Sequence, residues 1–131
     1  MPGIETTLAN HDLDFLNRTA RIWKAEISQR DVSSAREDLL YLMLQPANLY
    51  EVMRQLPEAA QKAWQELVSK GGRISWAIFS RKYGDIRDFG PARREREQPD
   101  KNPGSVSESL WYSGLIGKAF LKVAGELAEM V

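Results

Sequence analysis

A mainly helical single domain is the fold class this sequence predicts, and three observations predict it. Apolar residues recur at helical spacing through most of the chain. Capping residues, prolines and glycines punctuate those stretches. Residues 56–83, LPEAAQKAWQELVSKGGRISWAIFSRKY, read as a helix, a Gly-Gly turn, a very short extended piece and a second helix. That series is the opening half of a helix-turn-helix or winged-helix unit.

With 131 residues, 43% hydrophobic and 27% charged, the chain has the composition of one globular domain. Cysteine is absent, which excludes a disulfide scaffold and a thiolate metal site. Eighteen basic residues balance eighteen acidic ones, so the basic surplus of a dedicated nonspecific DNA binder is missing. The N-terminus lacks a basic segment followed by an apolar core, and the longest apolar run, residues 39–44, is far too short to span a bilayer. A cytoplasmic location is the expectation.

Residues 1–11 read as a flexible leader, and residues 12–131 as the domain. Its N-terminal helical part is residues 12–56. Leu13, Leu16, Ala20 and Trp23 form one stripe of a first helix, widened by Phe15, Thr19 and Ile22. Ser34 and Glu37 form a capping box for a second helix, which runs through LLYLML, apolar on nearly every side and expected to be buried, and stops before Pro46. Asn48 caps a third short helix, with Leu49, Val52, Met53 and Leu56 inward.

The winged-helix-like unit is residues 57–131. Pro57 opens a fourth helix with Ala60, Ala63, Trp64, Leu67 and Val68 on one face, and Gly71 closes it. Arg73 and Ile74 are the short extended piece. Ser75 caps a fifth helix that buries Ile78, Phe79 and Tyr83. Residues 85–104, rich in Gly, Pro and mixed charge, form a long charged loop. Ser105 and Glu108 make a second capping box, for a helix with Val106, Leu110, Trp111 and Leu115 inward and Ser109, Tyr112 and Ser113 exposed. In residues 116–131 periodicity prefers a helix through Ile116, Phe120, Val123, Leu127 and Val131. A hairpin, with a turn around Gly125 and Glu126, instead completes the order of elements in a winged helix.

The runs GGRISWAIFSRKYGDIR, GPARREREQPDKNP and SESLWYSGLIGKAF resemble a bacterial family of uncharacterised proteins, itself similar to the N-terminal winged-helix region of XPB-type helicases. The resemblance covers roughly residues 12–131 and is sharpest over residues 67–120. It implies a DNA-associated helical domain, a wing hairpin over residues 118–131, and a protein that continues past Val131. It does not carry over ATPase or unwinding activity: the phosphate-binding Gly-x-x-x-x-Gly-Lys-Ser/Thr run and the acidic helicase box are both absent from the sequence.

The candidate nucleic-acid contacts are Arg81, Lys82, Arg87, Arg93, Arg94 and Arg96, with Tyr112 and the wing lysines Lys118 and Lys122. Between Arg81 and Lys101 seven basic residues face five acidic ones. Arginine pairs with phosphate, yet interleaved acids cancel most of the field, as in an ordinary solvated run. The helix after Ser105 stands where a recognition helix would, but it has no base before Lys118, and Glu108 would repel phosphate. Trp111 reads as core, and Tyr112 as a contact for a protein partner. Lone His11 reads as a surface residue, Asp12 and Asp14 as charges favouring a helix N-terminus, and the serines as caps. The first two helices fit a brace over the core better than a helix-extended-helix DNA module. The expectation is therefore a noncatalytic winged-helix module, without cofactor or metal, binding DNA backbone weakly within a larger helicase-like assembly. The alternative is a protein-protein interaction module that binds no nucleic acid.

Overall fold

The structure, a computed structural model, describes residues 8, 11–117, 119–123 and 126–130, the last two stretches as backbone. The fold is mainly α, with seven helices among the described residues: α1 (Leu13–Ile22), α2 (Val32–Met43), α3 (Pro46–Gln55), α4 (Glu58–Ser69), α5 (Trp76–Tyr83), α6 (Pro91–Glu97) and α7 (Val106–Tyr112). Strand β1 (Ala119–Val123) pairs antiparallel with β2 (Glu126–Met130), Ala119 opposite Met130 and Val123 opposite Glu126.

Local chemistry sets most boundaries. Asp12 caps α1 by accepting from Phe15 N at 2.8 Å, and Ser105 caps α7 by accepting from Glu108 N at 3.0 Å. Helix α2 starts earlier than its expected capping box: Asp31 is the cap and accepts from Ser34 N at 2.7 Å. Helix α3 starts at Pro46 rather than after Asn48, because proline fits a first turn whose N–H groups lack partners anyway. Gly71 follows α4 with φ +80°, and the bond from Gly72 N to Leu67 O at 2.8 Å closes the helix. Arg73 and Ile74 form no strand; a single bridge residue falls at Ser75.

One contiguous core joins these elements. Leu16 and Ala20 of α1, Leu39 and Met43 of α2, Ala63 and Leu67 of α4, Phe79 of α5 and Leu110 of α7 are all buried in it. Helix α7 is the hub, packing against α1, α4 and α5. At its end Gly114 adopts φ +76°, where a Cβ would lie 3.1 Å from Met43 Cε and 3.2 Å from Thr19 Cγ2. Thr19 of α1 and Trp23 at its C-cap take up carbonyls left open at the end of α7: Thr19 Oγ1 donates to Tyr112 O and Trp23 Nε1 to Ser113 O, each at 2.8 Å.

Several expectations are corrected. Leu8, placed in the leader, is fully buried in the core; the rest of residues 1–10 lies outside the described residues. LLYLML is buried on one face only, with Tyr41 and Leu44 exposed. Val68 and Ile78 are exposed as well. The expected loop over residues 85–104 contains α6, entered through Gly90 and Pro91 and built of good helix formers.

Two substitutions separate the core from its misread edge. Leu110→Ala should cost about 2–5 kcal/mol in denaturant unfolding, because it opens a cavity at the hub. Ile78→Ala should stay within about 0.5 kcal/mol, as expected of an exposed position.

Candidate nucleic-acid interface

The arginines of residues 81–101 divide into two groups with opposite consequences. Arg94 on α6 is buried. Its guanidinium donates to both carboxylate oxygens of Asp12 at 2.8 Å, to Asp14 Oδ2 at 2.9 Å and to Phe89 O at 3.0 Å. Arg18 on α1, only 1% exposed, donates to Asp14 at 3.1 Å, Glu95 at 3.0 Å and Asp100 at 2.9 Å. Arg21 adds a contact to Asp100 at 3.3 Å. These pairs fasten residues 94–100 to α1.

Arg87 is bound just as firmly. Its Nε and Nη2 each donate at 2.8 Å to the carboxylate of Glu108, which is fully buried and also accepts from Arg87 N at 2.8 Å and Gly104 N at 2.9 Å. Burial opposes the charge on Glu108, but these donors win and hold its carboxyl below its ordinary value. Glu108 therefore neutralises Arg87 inside the fold and is not presented to a phosphate. Lys82 is paired too, with Glu66 at 2.9 Å, and Tyr83 donates its hydroxyl to the same carboxylate.

Arg81, Arg93, Arg96 and Lys101 remain exposed and form no ion pair among the described residues. Arg93 stacks over the Phe89 ring at 4.6 Å, and Arg87 approaches the same ring at 4.8 Å. Lys118 lies outside the described residues. Lys122 is placed on β1 opposite Leu127, its side chain outside the description.

Tyr112, expected on an exposed face, is 3% exposed, and burial pushes its phenol up to about 12. Ser113 is fully buried as well. Of the face assigned to solvent, Tyr112 and Ser113 look into the protein, while Ser109 is half-buried. His11 is no isolated surface residue: its ring stacks on Phe15 at 3.6 Å and meets Trp111 edge-on at 4.9 Å.

Sequence reasoning missed Arg18 altogether. A signal for it was present, since Arg18 falls three residues after Phe15 and four before Ile22, on the edge of the buried stripe. A cation in that position demands carboxylates from elsewhere.

No protein family, no curated protein and no solved structure matches this chain. The functional reading accordingly rests on the geometry.

The Asp12–Arg94 pair should make stability depend on acid. The hydrogen bond from Arg94 lowers the Asp12 carboxyl from 3.8 to about 2, against the opposing effect of burial and with help from Phe15 N–H. A depressed carboxyl stabilises the fold above its unfolded value and loses that contribution as pH falls through the folded one. Unfolding free energy should therefore decline between about pH 4 and pH 2. Asp12→Asn, which keeps the helix cap, should remove part of that slope in a pH series of denaturant titrations.

Proposed function

We propose that this chain is a noncatalytic winged-helix binding module that engages nucleic acid weakly through the phosphate backbone and helps to position a larger, helicase-like or DNA-associated assembly. In this reading α4, α5 and α7 are the three helices of the unit, and β1 and β2 are its wing. One observation carries the nucleic-acid part: Arg81, Arg93 and Arg96 are exposed without ion pairs among the described residues, whereas Arg18, Arg87 and Arg94 are neutralised within the fold. Free guanidinium groups suit phosphate contact. The packing of α7 against α1, α4 and α5 argues against insertion of that helix into a groove, so the contacts carry little sequence information.

A second reading, docking of a protein partner, loses the support of Tyr112. It gains that of Tyr41 on α2, Leu44 at its C-cap and Tyr50 on α3, which are 70%, 57% and 71% exposed. Salt separates the two readings, because phosphate contacts release counterions and an aromatic interface does not.

Fluorescence anisotropy with labelled duplex DNA at two salt concentrations tests the first reading. Three phosphate contacts predict a slope of log affinity against log salt of roughly −2 to −3. Arg93→Ala combined with Arg96→Ala should weaken binding and flatten that slope by about 2. An absence of binding at low salt would sink the nucleic-acid reading for this chain.

A further inference from the structure

A cavity of about 350 Å³ lies where α1, α7 and the segment leading into α6 meet. Phe15, His11, Trp111 and Phe89 contribute aromatic rings to its lining. Tyr112, on the next residue of α7, lines it too. The Tyr112 ring is buried, while its hydroxyl forms no hydrogen bond among the described residues and, unlike Ser107 Oγ, is not shut off from solvent. Being protonated at neutral pH, the hydroxyl is a donor available to an acceptor brought from outside.

The charges constrain what that acceptor belongs to. Arg87 and Arg94 also line the cavity, but Glu108, Asp12 and Asp14 already match them. Both lining arginines are thus matched, which favours a neutral inserted group. Flat aromatic walls favour a flat ring. Asp88 in the same lining can accept from a ring N–H. Positive charge without a carboxylate partner among the described residues stands beside the cavity, on exposed Arg93 over the Phe89 ring. A neutral heteroaromatic ring that carries both acceptor and N–H, with an anion attached nearby, is a nucleobase with its phosphate.

We propose that this cavity holds one unstacked base of a single-stranded nucleic acid, with its ring against the aromatic walls, an acceptor atom on the Tyr112 hydroxyl and a neighbouring phosphate on Arg93. The proposal deepens the nucleic-acid reading above and rests on it. A base within a duplex is stacked and paired and cannot enter such a cavity, so the site discriminates strand from duplex.

The test is fluorescence anisotropy with labelled oligothymidine and with a duplex of equal length, using the whole chain. Thymidine monophosphate serves as competitor. The strand should bind more tightly than the duplex. Tyr112→Phe, which keeps the ring and the fold, should weaken strand binding about 3- to 10-fold and leave duplex binding within about twofold. That loss should persist at high salt, because the bond is to a neutral base. Trp111→Ala should weaken strand binding about tenfold, the usual cost of a lost stacking wall. Strand and duplex binding equally well, with Tyr112→Phe changing neither, overturns the cavity assignment and leaves the backbone reading standing. Binding of neither overturns both. Thymidine monophosphate binding as tightly as the strand overturns the strand as the source of the base.

Discussion

The structure depends on how two buried guanidinium groups are neutralised. Arg18 on α1 and Arg94 on α6 are both removed from water, and an isolated buried charge would cost several kcal/mol. Carboxylates from both sides meet that demand. Asp14 accepts from both arginines, Asp12 from Arg94, and Glu95 and Asp100 from Arg18. The arrangement specifies position more than it adds stability, since an apolar contact of equal size would hold the segments together at least as well. The observed placement of residues 94–100 on α1 gives each of these buried arginines carboxylate partners. That placement brings Phe89 and Arg87 beside α7 and so defines the wall of the aromatic cavity.

Arg87 carries the same logic one step further. By pairing with buried Glu108 it joins the stretch before α6 to the first turn of α7, where a carboxylate also interacts favourably with the helix N-terminus. The Ser105 side of the capping box has the usual form. The Glu108 side reaches Gly104 N and Arg87 rather than Ser105 N. A local capping signal has been recruited for a tertiary contact.

The parts legible in the sequence are those governed by apolar periodicity and capping. The stripe of α1, the face of α4 through Ala60, Ala63 and Leu67, the left-handed turn at Gly71 and the Ser105 cap follow from residue type and spacing. Helix α6 was not legible because its inward face is Arg94, a charge, so no hydrophobic period marks it. The exposure of Tyr112 was misread for a different reason. A short helix packed against several elements buries polar residues too: Ser107 and Glu108 of α7 and Ser113 at its C-cap are all fully buried. Which basic residues remain free could not be read from charge spacing. It depends on contacts between segments far apart in the chain.

Those contacts have an entropic consequence. Asp12 and Arg94 are separated by 82 residues, Thr19 and Tyr112 by 93, and Trp23 and Ser113 by 90. Bringing together the ends of a loop this long costs on the order of 4 kcal/mol in chain entropy, and the cost grows only slowly with length. The first of these contacts to form bears nearly all of it. The others close loops already closed and meet little further opposition. The charge network and the two carbonyl caps at the end of α7 therefore form and break together, so that the N-terminal helix and the last third of the chain act as one cooperative unit.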